Sequence, residues 1–272
     1  MTGLPDDAPD GLRDALDGAK VTRFWREGTR AYGYAGGGRF VRWSGEPGDA
    51  AVLAHEAVVR DAIGPDGVLR APPVLARGPG WLLERAVAAG PVAGERAIDA
   101  AVAAAGALAA LELPELDGAP ERSGGRLATA RRNVRLVRGP IARDLLAARR
   151  LLARTPLPLV TSHGDFHAGN LLMDGDRPWV VDWELVGRRP AAFDLMQLWP
   201  TLGDPADREH LLEAAVALVG EPMRDHVLAL RYVLVVRTIA SKLVPAHDFN
   251  ADTAGARELL AQLPALRPRP KR

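Results

Sequence analysis

Three side chains between Val160 and Glu184 have the types and the spacing of a phosphoryl-transfer site. The segment reads VTSHGDFHAGNLLMDGDRPWVVDWE, with Asp165 and Asn170 on a polar loop and Asp182 at the end of an apolar strand. An amide oxygen and a carboxylate are hard ligands that Mg²⁺ accepts beside substrate phosphates. A carboxylate five residues before the amide could accept the proton of an attacking hydroxyl. These residues therefore predict metal-assisted phosphoryl transfer.

A hairpin is expected to bring the two metal-binding candidates together. Asp174-Gly175 separates two short apolar runs, and an Asp-Gly pair in that setting is a strong hairpin signal. Folding the hairpin places Asn170 beside Asp182. Each polar residue alone has an ordinary structural explanation, because loop Asp and Asn side chains commonly form turns or caps. The ordered set H-x-D-x-x-x-x-N, hairpin, strand and Asp is what favours chemistry.

Two histidines leave a second chemistry open. His163 and His167 flank Asp165, and the three residues together could build a metal-dependent phosphohydrolase. The segment lacks an H-E-x-x-H helix, and zinc requires a third ligand in the correct place. We therefore expect both histidines to hydrogen-bond the loop backbone and to support the site.

The elements in front of this segment are predicted to be strands. Residues 21–43 contain β-prone runs separated by glycines, which indicates an antiparallel meander. A helix beginning near Asp49 then places Val52, Glu56 and Val59 on one face. A carboxylate on an apolar face needs a partner, because burying an unpaired charge is costly. Arg42 is the available cation; the alternative is that Glu56 lies in water at the edge of the face.

Strands dominate the first part of the chain and helices dominate the rest. This segregation predicts an α+β protein with two lobes. We expect an N-terminal nucleotide-binding lobe at residues 1–83, a hinge at 84–93 and a helical C-terminal lobe at 94–272 that carries the catalytic loop and the substrate site. A basic helix is expected at residues 126–138.

The amino-acid composition and the net charge limit the kinds of molecule that the protein is expected to bind. The 272 residues are 47% hydrophobic and 25% charged, with a net charge of +1 and no cysteine. Disulfides and thiolate metal sites are excluded, and the charge pattern of a nucleic-acid or membrane-surface binder is absent. The first residues do not read as a signal peptide, so we expect a cytoplasmic protein. Residues 230–244 are too short for a membrane span and predict a core helix.

The central motif resembles a known family. HGDFHAGNLL followed by WVVDWE is similar to the signature of the aminoglycoside phosphotransferase and choline kinase superfamily, which are small-molecule kinases. The resemblance implies a bilobal protein-kinase-like fold, with a small antiparallel-sheet N-terminal lobe and a mainly helical C-terminal lobe. It implies ATP and Mg²⁺ as cofactors and a small hydroxylated molecule as substrate. It does not indicate the acceptor, the choice between ATP and GTP, or an oligomeric state.

The resemblance also implies roles for individual residues. Asp165 corresponds to the catalytic base, and Asn170 and Asp182 to the magnesium ligands. Arg42 stands at the phosphate-contacting basic position, where many kinases use Lys. Glu56 corresponds to its acidic partner on the helix.

Two further positions follow from the same resemblance. Glu84 ends the strand that leads into the hinge, whose backbone meets adenine in this family. Asp194, in PAAFDLMQLW, corresponds to the acidic residue that braces the catalytic loop. The interval between Asp182 and Asp194 is too short for the activation segment of a protein kinase, which favours a small-molecule acceptor.

Two departures from the family bear on activity. The glycine-containing turn near Gly28 lacks a recognisable phosphate-binding consensus, so a nucleotide- or metabolite-binding protein with little transfer activity is an alternative. The C-terminal helices are also mixed or basic in charge. A polycationic antibiotic is therefore a less favoured acceptor. The basic residues concerned are Arg224, Arg231, Arg237 and Lys242.

Overall fold

The computed structural model describes residues 4–87, 90, 92, 94–113 and 140–242. In chain order the described elements are α1 (Asp10–Leu16), β1 (Val21–Glu27), β2 (Arg30–Ala35), β3 (Arg39–Ser44), α2 (Pro47–Ile63), β4 (Val74–Gly78), β5 (Trp81–Arg85), α3 (Glu95–Ala109), α4 (Pro140–Arg154), β6 (Leu159–Ser162), β7 (Leu171–Asp174), β8 (Arg177–Val180), β9 (Gly187–Pro190), α5 (Phe193–Leu198), α6 (Pro205–Val219) and α7 (Arg224–Lys242). The predicted basic helix at 126–138 and positions 88–89, 91 and 93 of the expected hinge lie outside these residues.

The chain divides into two compact units. The first consists of Met1–Pro120 and Thr161–Arg188, and the second of Glu121–Val160 and Arg189–Arg272. The chain passes from one unit to the other within β6 and within β9. The first unit contains the larger sheet, α1 to α3 and the β7–β8 hairpin, whereas helices dominate the described part of the second.

The first unit is built on a five-stranded antiparallel sheet in the order β1-β2-β3-β5-β4. This confirms the predicted meander. Gly80, in the turn between β4 and β5, has φ of +72°, and a Cβ atom there would lie 2.6 Å from the carbonyl oxygen of Ser44. Only glycine can combine this positive φ with so close an approach to the Ser44 carbonyl. The turn therefore fixes how β5 enters the sheet.

One face of the sheet packs on a helix that the sequence analysis missed. Leu12 and Leu16 of α1 are buried against Val41, Trp43 and Leu83 of the sheet. The short α1 has only two strongly apolar positions, and this is too little for its periodicity to stand out. The helix is therefore stabilised mainly by packing on the sheet.

The predicted helix before residue 64 is confirmed as α2. Its buried residues include Val52, Glu56 and Val59, the face that the periodicity indicated. Leu53 and Ala57 pack on Leu82 of β5. Glu56 is therefore held in a buried position by the apolar residues around it.

The predicted β7–β8 hairpin is also confirmed. Leu171 pairs with Val180, and the two-residue turn consists of Gly175 and Asp176. Gly175 has φ of +65°, which a glycine adopts at no steric cost. The hairpin thus has a fixed register, and this register determines which residues lie next to each other where the chain enters and leaves the hairpin.

Arg70 attaches the hairpin to the rest of the first unit. Its guanidinium lies 4.1 Å from the ring centroid of Trp179 and donates to the carbonyl of Arg177 at 2.6 Å. The carbonyl of Arg70 accepts from the amide of Val180 at 2.8 Å. These contacts hold β8, and with it the residues that follow β8.

Helices form the described core of the second unit. Leu145 and Ala148 of α4 are buried, and so are Val227, Leu230 and Val235 of α7. Residues 230–242 lie in α7, which confirms a helix over the described part of the predicted core segment. Among the described helices, none has the combination of length and apolar character needed to cross a bilayer.

Candidate active site

The loop after β6 holds Asp165 by local hydrogen bonds. The side-chain amide of Asn170 donates to the carbonyl of Asp165 at 2.9 Å and lies 3.5 Å from its Oδ2 atom. His167 Nε2 lies 3.6 Å from the same oxygen. Gly164, with φ of +81°, allows the chain to turn into the loop. The carboxylate is thus oriented by its own loop and is 31% exposed.

His163 connects this loop to the end of the hairpin. The side chain is fully buried, and its ring lies 4.7 Å from that of Trp183 in an edge-on arrangement. Nε2 lies 3.0 Å from the carbonyl of Val181 and must donate to it, while Nδ1 accepts from the amide of Asp165 at 3.3 Å. His163 is therefore neutral, with its proton on Nε2.

This geometry does not favour a metal-dependent phosphohydrolase. Both ring nitrogens of His163 are engaged, and Nδ1 of His167 accepts from the amide of Gly169 at 3.0 Å. Within the described residues, no three His, Asp or Glu side chains form a group that could hold a metal. Both histidines make backbone hydrogen bonds of the kind expected from the sequence.

Asn170 and Asp182 converge at the base of the hairpin. The amide of Val181 donates to the carbonyl of Asn170 at 3.0 Å, so Asp182 follows directly beside it. Asp182 has a left-handed backbone conformation, with φ of 65° and ψ of 63°. This conformation costs an L-residue roughly 1–2 kcal/mol, and Asp is among the side chains that tolerate it best. Such strain is retained where the surrounding structure requires it.

The charge around Asp182 suits a cation. Its side chain is 39% exposed, and burial raises the carboxyl pKa to about 7, with additional contributions from the negative charges of Glu56 and Glu184. The nitrogen of Asn170 is committed to Asp165, which leaves the amide oxygen as the atom that can bind a metal. A carboxylate in excess negative charge and an amide oxygen are a donor set that fits Mg²⁺.

Four buried charged residues form a cluster that contacts Asp182 through Arg42. It consists of Arg42, Glu56, Arg60 and Glu84, each exposed by 7% or less. Arg42 pairs with Glu56, with Glu84 at 3.3 Å and with Asp182 Oδ1 at 3.6 Å, and Arg60 pairs with Glu84. Two positive and two negative charges balance, which is the condition under which buried charges are tolerated.

The pKa values in the cluster follow from this pairing. Burial by itself lowers the pKa of Arg42, but the charges of Glu56 and Glu84 outweigh burial and raise it above the usual value. Burial by itself raises the pKa of Glu56, but Arg42 and Arg60 outweigh burial and lower it. Both residues are therefore charged at neutral pH.

Glu56 also connects α2 to the turn after Asp182. Its Oε1 atom accepts from the backbone amide of Trp183 at 3.1 Å. The side chain is fully buried, so the alternative that it lies in water at the helix edge is wrong. One carboxylate thus fixes both the guanidinium of Arg42 and the backbone beside Asp182.

Two members of the cluster make ion pairs that the sequence did not indicate. The carboxylate of Glu84 points to Arg42 and Arg60, so its side chain contributes to the charge balance of the first unit. Arg60 had no assigned role, although it lies four residues after Glu56 on the same helix. That spacing, together with the need of Glu56 for a partner, was the signal that could have found it.

A second ion network ties the β1–β2 turn to the site. The guanidinium of Arg30 donates to Asp49 at 2.9 and 3.1 Å and also pairs with Glu184. Asp49 additionally accepts from the hydroxyls of Thr29 at 2.6 Å and Ser44 at 2.9 Å. Burial raises the carboxyl pKa of Asp49, but these hydrogen bonds and Arg30 outweigh burial and lower it to about 2. We call this set the Arg30 network.

Comparison of the sequence with known protein families shows which family this chain belongs to. The sequence profile of the phosphotransferase enzyme family matches residues 15–230, a range that includes Arg42, Glu56, the loop with Asp165 and Asn170, and Asp182. The chain belongs to this family. Among curated proteins, no sequence match reached significance.

Solved structures of kinases share the fold of this phosphotransferase family member. They include a choline/ethanolamine kinase family protein from Mesorhizobium loti, with 22% identity, a TM-score of 0.61 and coverage of 93% of this chain and 94% of that one. A second is the macrolide 2′-phosphotransferase MphH from Brachybacterium faecium, with 18% identity, a TM-score of 0.60 and coverage of 97% and 100%. A third is a thermostable mutant of aminoglycoside phosphotransferase APH(4)-Ia in a ternary complex with ADP and hygromycin B, with 15% identity, a TM-score of 0.62 and coverage of 92% and 94%. These similarities confirm the α+β, bilobal protein-kinase-like fold.

Asp194, the remaining residue to which the family resemblance assigns a role, lies in the second unit of this phosphotransferase family member. Asp194 is in the first turn of α5 and is 6% exposed. It precedes a run of fully buried apolar residues, Leu195 and Met196. Its position at the start of a buried helix is therefore fixed by the core of the second unit.

Proposed function

We propose that this protein is an ATP- and Mg²⁺-dependent phosphotransferase that phosphorylates a hydroxyl group of a small molecule. The observation that carries the proposal is the arrangement of Asp165, Asn170 and Asp182 around one hairpin, with Arg42 held 3.6 Å from Asp182. Membership of the phosphotransferase enzyme family supports it. We retain the predicted lobes, with residues 1–83 as the nucleotide-binding lobe, as part of the proposal.

In the proposed site, Asn170 and Asp182 would hold Mg²⁺ through the amide oxygen and the carboxylate. Bound there, the ion would neutralise the charge on the phosphate oxygens during transfer. Arg42 would contact phosphate, and Glu56 would keep its guanidinium in place through their buried pair. Arginine binds phosphate as a planar fork, whereas lysine does so as a point charge, so Arg42 would fix the phosphate orientation more strictly.

Asp165 would act as the general base. As the acceptor oxygen bonds to the γ-phosphorus, the hydroxyl proton would pass to this carboxylate while the bond from γ-phosphorus to the leaving oxygen breaks. Asn170 and His167 approach the same carboxylate oxygen, at 3.5 and 3.6 Å, and would keep it oriented. Asp194 would brace the loop, as the family resemblance implies.

For the acceptor we propose a small hydroxylated molecule. The short interval between Asp182 and Asp194 leaves no room for a peptide-binding activation segment. Proteins of the same fold act on choline or ethanolamine, macrolides and aminoglycosides, as their names state. We propose the cytoplasm as the compartment, with neither nucleic acid nor membrane as a partner.

A second candidate is a kinase-like protein that binds nucleotide with little transfer. The observation that favours it is the β1–β2 turn, which has only Gly28 and Thr29 between Glu27 and Arg30. So short a turn offers few backbone amides to cover phosphates. The Arg30 network also holds this turn in place.

The two candidates differ in turnover. The experiment incubates the full chain with ATP, Mg²⁺ and a panel of hydroxylated compounds, and detects phosphate gain by mass spectrometry. Thermal unfolding with and without ATP and Mg²⁺ is measured in parallel. Phosphate gain on a compound, above ATP hydrolysis alone, supports the transferase. Stabilisation by ATP and Mg²⁺ without phosphate gain on any compound favours the binding protein, and no stabilisation contradicts both.

A further inference from the structure

A cavity in the second unit lies apart in sequence from every residue proposed for catalysis. It has a volume of about 250 Å³ and is lined by residues of α6, α7 and the turn before α6. It is lined by an aromatic residue, two arginines, two leucines, a proline and one exposed carboxylate: Trp199, Arg208, Arg231, Leu212, Leu228, Pro205 and Glu209. We call it the Trp199 cavity.

Arg231 is a buried cation in this cavity, and it has no counter-ion in contact among the residues that the structure describes. It is 4% exposed, and no hydrogen bond or ion pair joins it to any residue that the structure describes. Its guanidinium lies 4.8 Å from the ring centroid of Trp199. Stacking offsets part of the cost of burial but leaves the buried Nε–H without an acceptor among the described residues. Burial lowers the pKa of Arg231, and only the charge of Glu209 acts in the opposite direction.

A second cation approaches the same indole. The guanidinium of Arg208 lies 5.4 Å from the ring centroid of Trp199, and its Nε donates to the carbonyl of Leu202 at 2.8 Å. The Nε1 atom of Trp199 is buried and also has no partner among the described residues. The lining therefore combines two positive charges with one exposed carboxylate and an unused N–H donor. An acidic group can accept hydrogen bonds from Arg231 and from the N–H of Trp199, and it offsets the excess of positive charge in the lining.

We propose that the Trp199 cavity binds a small organic anion, a carboxylate or phosphate group on a short apolar body. The acidic group would accept hydrogen bonds from Arg231, and the apolar body would lie against Leu212 and Leu228. A volume of about 250 Å³ lies just below the usual range of pockets for drug-sized ligands, so the ligand is small. This inference goes beyond phosphotransfer and does not depend on it, because neither nucleotide nor reaction enters the argument.

Three small aromatic probes, of which benzoate and benzamide are matched in size, test the proposal on the full chain. Benzoate, phenyl phosphate and the neutral benzamide are titrated by isothermal calorimetry, without nucleotide. We expect one or both anions to bind and to raise the unfolding temperature by a few degrees, and benzamide to bind at least about tenfold more weakly. Binding of benzoate alone or of phenyl phosphate alone identifies the acidic group.

Two variants on the same helix separate the site from general charge effects. Arg231→Met removes the buried guanidinium, and we expect it to weaken anion binding by about tenfold or more. Arg237→Met removes the same charge from an exposed position of α7 and should retain wild-type affinity. Equal losses in both variants, equal binding of benzamide and benzoate, or binding of neither anion would each overturn the proposal.

A measurement on the wild-type chain keeps the test valid if Arg231→Met does not fold. The protein is labelled with 5-fluorotryptophan, and the Trp199 resonance is assigned by its loss in Trp199→Phe. Benzoate should shift this ¹⁹F resonance at the concentrations at which heat is measured. An unchanged Trp199 resonance while another Trp resonance shifts would place the anion elsewhere and refute the proposal.

Discussion

Glu56 shows how a single side chain can connect two parts of a site. Its carboxylate pairs with Arg42 and also accepts from the amide of Trp183, the residue after Asp182. The side chain is fully buried, so its charge depends on the arginines around it. Removing the charge leaves the other members of the cluster unbalanced, and the cost is larger than for a pair in water.

We expect Glu56→Gln to lower the free energy of unfolding by about 3 kcal/mol, because it leaves two buried guanidinium groups, Arg42 and Arg60, with one buried carboxylate between them. The measurement is urea denaturation. Asp61→Asn is the matched control, since Asp61 lies on the same helix and pairs with Arg77 at 2.7 Å in an exposed position. An exposed pair contributes at most about 1 kcal/mol. Similar losses in both variants would contradict the account of the cluster.

Asp165 allows the proposed mechanism itself to be tested. Asp165→Asn keeps the size of the side chain but removes the proton acceptor, and we expect turnover to fall by roughly 10² to 10⁴. Stabilisation by ATP and Mg²⁺ should remain, because Asn170, Asp182 and Arg42 are unchanged. Asp176→Asn, in the exposed hairpin turn, is the control and should keep full activity. Unchanged turnover in Asp165→Asn would refute the base assignment.

At the scale of elements, two connections hold the site together in the first unit. The β7–β8 hairpin sets Asn170 beside Asp182, and Arg70 fixes that hairpin through Trp179 and the carbonyl of Arg177. The Arg30 network ties the β1–β2 turn to the beginning of α2 and to Glu184. The hairpin supplies the geometry of the proposed metal site, and the network restrains the strand pair that contains the β1–β2 turn.

Arg30→Met should loosen the β1–β2 turn. The variant removes the bonds from Arg30 to Asp49 and Glu184, and we expect backbone amide exchange at residues 27–30 to accelerate by about tenfold. If the proposed function is right, the KM for ATP should rise more than kcat falls. Arg26→Met is the control, because Arg26 pairs with Asp7 on the exposed side of the same strand pair. Equal exchange rates in Arg30→Met and the wild type would show that the network does not restrain the turn.

At the scale of the whole molecule, buried and paired carboxylates determine the stability in acid. The pKa of Asp49 is lowered from 3.8 to about 2, and that of Glu56 is also lowered. A group with a lowered folded pKa stabilises the protein above its unfolded pKa and loses that contribution as the pH falls through the folded value. The protein should therefore lose stability from about pH 4 toward pH 2.

Urea denaturation at pH 5, 4 and 3 measures this loss, and Asp49→Asn assigns its share. The variant should be less stable at pH 5, by at most about 2 kcal/mol, and its stability should depend less on pH between 4 and 3. The reason is that an amide does not titrate. If the variant and the wild type lost stability in parallel, the ionisation of Asp49 would not contribute.

The sequence alone was sufficient for the local features. Short-range patterns indicated the polar motif from His163 to Asp182, the hairpin, the buried face of α2 and the segregation of strands from helices. Such patterns are informative because turns, periodicity and strand propensity act over a few residues. These patterns also led to the family and its fold. They gave no indication of α1, whose few apolar positions acquire meaning only against the sheet.

The tertiary structure decided which charges meet. Glu84 and the Arg30 network connect residues far apart in the chain, and no local pattern specifies such pairs. It also placed Arg231 beside Trp199 with no counter-ion in contact within the described part of the chain, whereas a helix in isolation would expose that arginine to water. The physical reason is that a charge becomes informative only once its burial is known, and burial is a property of the packed chain.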